Sequence, residues 1–81
     1  MVLVDDRILE FLSEEGPHAP SKIAEDERLP WGRQHIGNRC RELEQYGLVR
    51  NIGNGVYTTT NEGEQYLKEE FDVSKLDRDY S

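Results

Sequence analysis

Ile36, Cys40 and Leu43 stand four and then three residues apart. That spacing brings all three onto one face of an α-helix. At about 100° per residue, the opposite face carries polar side chains only, Gln34, Asn38, Arg41 and Gln45. His35 and Glu42 flank one side and Gly37 the other. The pattern predicts a helix over residues 32–46, with Gly32 as its N-cap. Gly47 follows the last periodic turn, where a left-handed glycine closes a helix at little cost. Leu48-Val49-Arg50-Asn51 then reads as a strand. Asn51-Ile52-Gly53-Asn54-Gly55 is dense in turn residues, and Val56-Tyr57-Thr58-Thr59 reads as the returning strand.

Three further helices are expected around this unit. Asp5 or Asp6 caps the first, whose apolar stripe is Ile8, Leu9, Phe11 and Leu12, and Gly16-Pro17 stops it. His18-Ala19 is a short connection able to add a minor strand to the hairpin; His18 reads as a loop residue, since no second ligand sits near it. Pro20 suits the first position of a second helix, which runs on through Glu27 with Ile23 and Ala24 as its apolar contacts. Leu29-Pro30 ends it, and Trp31-Gly32 turns the chain into the third helix. Trp31 is read as a core anchor in that turn, with stacking on a DNA backbone as the other reading. Thr60 is a sound N-cap for a last helix whose stripe is Tyr66, Leu67 and Phe71, and Gly63 in its first turn points to close packing. Residues 72–81 keep Val73, Leu76 and Tyr80 at helical spacing, as a frayed end or as part of a dimer contact. The expectation is an α+β, mainly α fold in one domain spanning 1–81. It has a three-helix core, a two- or three-stranded sheet and a C-terminal helix.

The polar face of the third helix changes this from a description of shape into one of chemistry. Amide and guanidinium groups pair bidentately with base edges in a DNA major groove. A polar-faced helix, a glycine stop and a Gly/Asn-tipped hairpin are the recognition helix and wing of a winged helix. The amides at the helix N-terminus, together with Arg33, make a ready phosphate contact. The net charge of −7 looks wrong for such a role until its distribution is considered. Residues 28–50 hold Arg28, Arg33, Arg39, Arg41 and Arg50 against Glu42 and Glu44, a net of +3. The other five basic residues face fifteen acids, a net of −10. Seven Arg against three Lys, with acids spread over several faces, resembles the composition of proteins from salt-in halophiles. In molar salt the counterion-release part of DNA affinity shrinks, so base contacts carry more of the binding.

The remaining features narrow the field. A single cysteine makes no internal disulfide, so a reducing, cytoplasmic location is expected, with Cys40 a small apolar core residue. No apolar run approaches the roughly 20 residues that cross a membrane, and Met1 to Asp6 lacks the basic and apolar regions of a secretory signal. Two His and one Cys have no metal-ligand spacing, and no phosphate-cradling Gly motif or Ser/His/Asp constellation appears. No enzyme, cofactor or metal is therefore expected.

Three motifs carry a family likeness: Ile23-Ala24, Leu43-Glu44-Gln45-Tyr46-Gly47-Leu48-Val49, and Tyr57-Thr58-Thr59-Thr60-Asn61-Glu62-Gly63. With the element order they resemble the winged helix-turn-helix transcription regulators, in particular the haloarchaeal phage-phi-H-repressor-like proteins. The resemblance covers roughly residues 5–72. It implies that Arg33, Gln34, His35, Asn38 and Arg39 approach DNA, that Arg41 contacts backbone further along, and that the wing adds Arg50, Asn51 and Asn54. Thr59 stands where the family usually has a core leucine, and the short wing has Arg50 as its only cation.

The reading is a sequence-specific regulator of transcription, a repressor. Helix 32–46 reads the major groove of double-stranded DNA and wing 50–56 touches backbone or minor groove. A homodimer through the first and last helices would present two half-sites. The alternative is a winged-helix protein–protein interaction module within a larger assembly, without base readout.

Overall fold

The computed structural model describes residues 3–69. Its elements in chain order are α1 (Leu3–Glu15), α2 (Pro20–Ile23), α3 (Arg33–Gln45), β1 (Val49–Gly53) and β2 (Val56–Thr59). A last helix, α4, occupies 61–69 within the described residues. This is a mainly helical fold with a two-stranded antiparallel sheet, as the sequence pattern predicts. Phe71, expected on the apolar stripe of the last helix, and the tail 72–81, a frayed end or part of a dimer contact, lie outside the described residues.

The core forms where the helical stripes meet. Ile8 and Leu9 of α1, Ile23 of α2 and Ile36, Cys40 and Leu43 of α3 are fully buried. Each large aliphatic side chain removed from water in this way contributes about 1.5–3 kcal/mol. Trp31 packs against this cluster from the turn before α3, as a core anchor does.

Two helix ends differ from the sequence expectation. The first helix already begins at Leu3, so Asp5 and Asp6 sit inside its first turn and do not cap it. The second helix stops at Ile23 instead of running to Glu27. Asp26 explains the early stop, because its carboxylate accepts a hydrogen bond from the Arg28 backbone N–H at 2.8 Å. A side chain that bonds its own backbone two residues on offers an alternative to the helical ladder. The turn that results carries Leu29 into the core.

The junction between α3 and the sheet follows the glycine. Gly47 has φ +79°; its N–H donates to the Glu44 carbonyl, and the Leu48 N–H donates back to the Leu43 carbonyl, both at 3.0 Å. That pair of bonds is a Schellman closure, and it satisfies carbonyls that the helix end leaves open. The strands pair from Val49↔Thr59 to Gly53↔Val56, with a bulge at Ile52. Asn54 and Gly55, both at positive φ, make the turn between them. His18 and Tyr57 exchange backbone hydrogen bonds at 3.1 and 3.0 Å, so the connection after α1 does add a bridge to the sheet.

The start of α4 locks this junction. Thr60 caps the helix, its Oγ1 accepting from the Gly63 N–H at 3.1 Å and donating to the Gly47 carbonyl at 2.6 Å. Its own N–H donates to the Leu48 carbonyl at 3.1 Å. A Cβ at Gly63 would overlap that same Leu48 oxygen, so the close packing expected of this glycine is real and leaves no room for a side chain.

Candidate nucleic-acid interface

The outward side of α3 is built as its periodicity dictates. Ile36, Cys40 and Leu43 are held in the core, so the helix cannot rotate without exposing them. Gln34, Asn38, Arg41 and Gln45 are therefore all exposed, with Arg33 and His35 exposed beside them. Gly37 is buried on the flank that faces α2, where a Cβ would sit 3.8 Å from Pro20. Gly32 is the N-cap in extended conformation and makes no side-chain cap bond. Asn38 Oδ1 accepts a hydrogen bond from Arg41 Nη2, which joins these two candidates on the surface.

Arg39 is placed differently from the other candidates. Its Nε donates to Asp5 Oδ1 and its Nη2 to Asp5 Oδ2, each at 2.8 Å. Asp5 is completely buried, while the Arg39 side chain is 26% exposed. The hydrogen bonds to Asp5 hold the guanidinium pKa above its ordinary value, against the pull of burial. The forked pair ties the first turn of α1 to the middle of α3. Sequence reading missed it, although a signal was present. Asp5 lies three, four and seven residues before Ile8, Leu9 and Leu12, so it sits on the buried stripe of α1.

Arg28 is also engaged within the protein. Its guanidinium reaches Asp26 and Glu14 at 3.0 Å and Glu15 at 3.8 Å, and lies 5.4 Å from the Phe11 ring centre. Of the five arginines in 28–50, Arg33, Arg41 and Arg50 make no ion pair among the described residues. The positive footprint read from the sequence is correspondingly smaller on the folded surface.

The wing divides in the same way. Arg50 is exposed opposite Thr58, and Asn54 is exposed at the turn. Asn51 is occupied: its Oδ1 accepts from the Gly53 N–H at 2.8 Å, and its own backbone N–H donates to Glu44 at 3.1 Å. These bonds hold the bulge and fix the wing to the end of α3. Thr59 is half-buried, and its hydroxyl donates to Glu64 at 2.9 Å, which satisfies a polar group at a position suited to leucine.

Burial pushes the Cys40 thiol up to about 12, which keeps it protonated and inert near neutral pH. Among the described residues, no group of three or more His, Cys, Asp or Glu is arranged to hold a metal ion. No helix of the described residues is long and apolar enough to cross a membrane.

Comparison with known proteins agrees with this geometry. Residues 1–79 match the family described as winged helix-turn-helix phage repressor. The fold is similar to that of the PhiH1 repressor-like protein from Haloarcula marismortui, with a TM-score of 0.81 and 35% sequence identity. The match covers 84% of this chain and 77% of that one. A comparison with curated protein sequences finds no match. Family and fold are those of a regulatory DNA-binding protein. The chain belongs to the winged helix-turn-helix phage repressor family.

Proposed function

We propose that the protein is a sequence-specific transcription regulator, a repressor, that binds double-stranded DNA by laying α3 in the major groove. The observation that carries this is the outward arc of α3. Seven residues of α3 are exposed, and six of them, Arg33, Gln34, His35, Asn38, Arg41 and Gln45, carry no carboxylate in a chain with 17 acids; the seventh, Glu44, accepts from the Asn51 N–H. Gln34 and Asn38 carry amides that pair with base edges, Asn38 by exchanging its bond from Arg41 for one from the base, while Arg33 and Arg41 are suited to phosphates along the groove. Arg50 and Asn54 of the wing reach the neighbouring backbone. In this reading the protein acts in the cytoplasm as a dimer joined through α1 and α4, a role supported by Leu3, which is 59% exposed at the start of α1.

The test is a fluorescence-anisotropy titration with DNA from upstream of the protein's own gene, over a range of KCl, with an unrelated duplex as competitor. Preference for the upstream duplex that persists at high salt is the expected result. The internal pairing of Arg28 and Arg39 favours the other reading, a protein-interaction module, because it lowers the exposed positive charge. Equal binding of both duplexes that vanishes at high salt, or no binding, would overturn base readout and favour that reading instead.

A further inference from the structure

Arg39 spends only part of its hydrogen-bonding capacity inside the protein. A guanidinium carries five N–H donors in a planar fork. Nε and Nη2 each give one to Asp5, which uses the side edge of the fork. The outer N–H of Nη2 and the adjacent N–H of Nη1 form the end edge, and the second N–H of Nη1 points to the Cδ side. No acceptor among the described residues takes them, and the side chain stays 26% exposed. The partner that holds the fork has no freedom of its own, since Asp5 is fully buried in the first turn of α1.

The location of that end edge is set by the helix. Arg39 is five residues after Gln34, about 140° around the axis. It lies on the same side as His35 and Glu42, at the shoulder of the outward face and not at its centre. A side chain at the shoulder of a helix in a groove meets the sugar-phosphate strand that borders the groove, not the base edges on its floor.

We propose that Asp5 is a positioning residue for DNA binding: its buried carboxylate aims the free edge of Arg39 at a backbone phosphate beside the groove that α3 enters. The inference rests on the DNA-binding reading given above. A donor pair already held in place loses little rotamer freedom on binding. The neighbouring carboxylate also offsets the arginine's charge, so the contact works more through directed hydrogen bonds than through counterion release. Such a contact retains more of its value in concentrated salt than those of Arg33 or Arg50.

The experiment compares Asp5→Asn, Arg39→Lys and the double variant Asp5→Asn/Arg39→Gln with the unaltered protein, using anisotropy on the preferred duplex at several KCl concentrations. Unfolding midpoints are measured alongside, and Arg33→Ala serves as a control on the reading itself. The double variant leaves no charge buried, which guards against loss of the fold. Each of the three should bind about tenfold more weakly under conditions where it is folded, as expected for losing one charged hydrogen-bonded contact. The sign of the Asp5→Asn effect is the distinguishing readout. A purely structural role leaves the affinity of the folded protein unmoved, and simple removal of a negative charge near DNA strengthens it. Equal or tighter binding by Asp5→Asn overturns the proposal. If that occurs while Arg33→Ala still weakens binding, the positioning role falls and the DNA-binding reading stands. If the unaltered protein shows no duplex preference, both fall together.

Discussion

Arg33 and Arg39 belong to the same helix, carry the same group, and look equally available in the sequence. Arg33 is exposed at the start of α3, with no ion pair among the described residues. Arg39 is forked onto a buried carboxylate from a residue 34 positions away. The six steps from Arg33 to Arg39 turn the helix by about 600°, so the two arginines face different surroundings. The inward side of α3 and its junction with the sheet are close-packed and hydrogen-bonded, and changes there should register as stability. The outward side touches little of the protein, and changes there should register as binding.

The most severe way to break the inward side is Gly63→Ala. A methyl group overlapping the Leu48 carbonyl oxygen forces apart α4 and the α3–β1 junction. The expected cost is about 3 kcal/mol or more, read as a drop in the denaturant midpoint. Next comes Arg39→Met, which leaves the Asp5 carboxylate buried without its donors. A loss of about 3 kcal/mol is expected, because an uncompensated buried charge costs more than the pair contributed. The Asp5→Asn/Arg39→Met double variant should recover much of it.

Smaller effects sharpen the outward side. Asn38→Ala should weaken binding to a preferred duplex about tenfold and relax discrimination at one base position. Its unfolding free energy should change by less than about 0.5 kcal/mol, since an exposed position is altered. The smallest effect belongs to the wing, where Arg50→Ala should lower affinity a few-fold on all duplexes alike and reduce the salt slope by about one. A large or sequence-dependent effect at Arg50 would move the site of base readout from α3 to the wing.

Local rules made much of the fold legible. The bounds of α3, the Gly47 stop, the β2 strand, the Thr60 cap and the tight site at Gly63 each follow from periodicity or from a residue's own backbone preference. What escaped was tertiary. The early end of α2 depends on an Asp26–Arg28 turn that competes with a plausible helix. The fate of Arg39 depends on Asp5, and that of Arg28 on Glu14, Glu15 and Asp26. Charge counted along the chain treats all five arginines as surface cations, whereas the folded chain spends two of them on its own carboxylates. Asn51 escaped for a similar reason, because its side chain serves the bulge of the wing.

Backbone amide shifts followed by NMR during titration with the upstream duplex locate the DNA on the fold. The largest perturbations are expected at the exposed positions of α3 from Arg33 to Arg41, with smaller ones at Arg50 and Asn54 and little change along the buried stripe of α1. Perturbations centred on α1 and α4, with the outward side of α3 unmoved, would contradict DNA binding through α3.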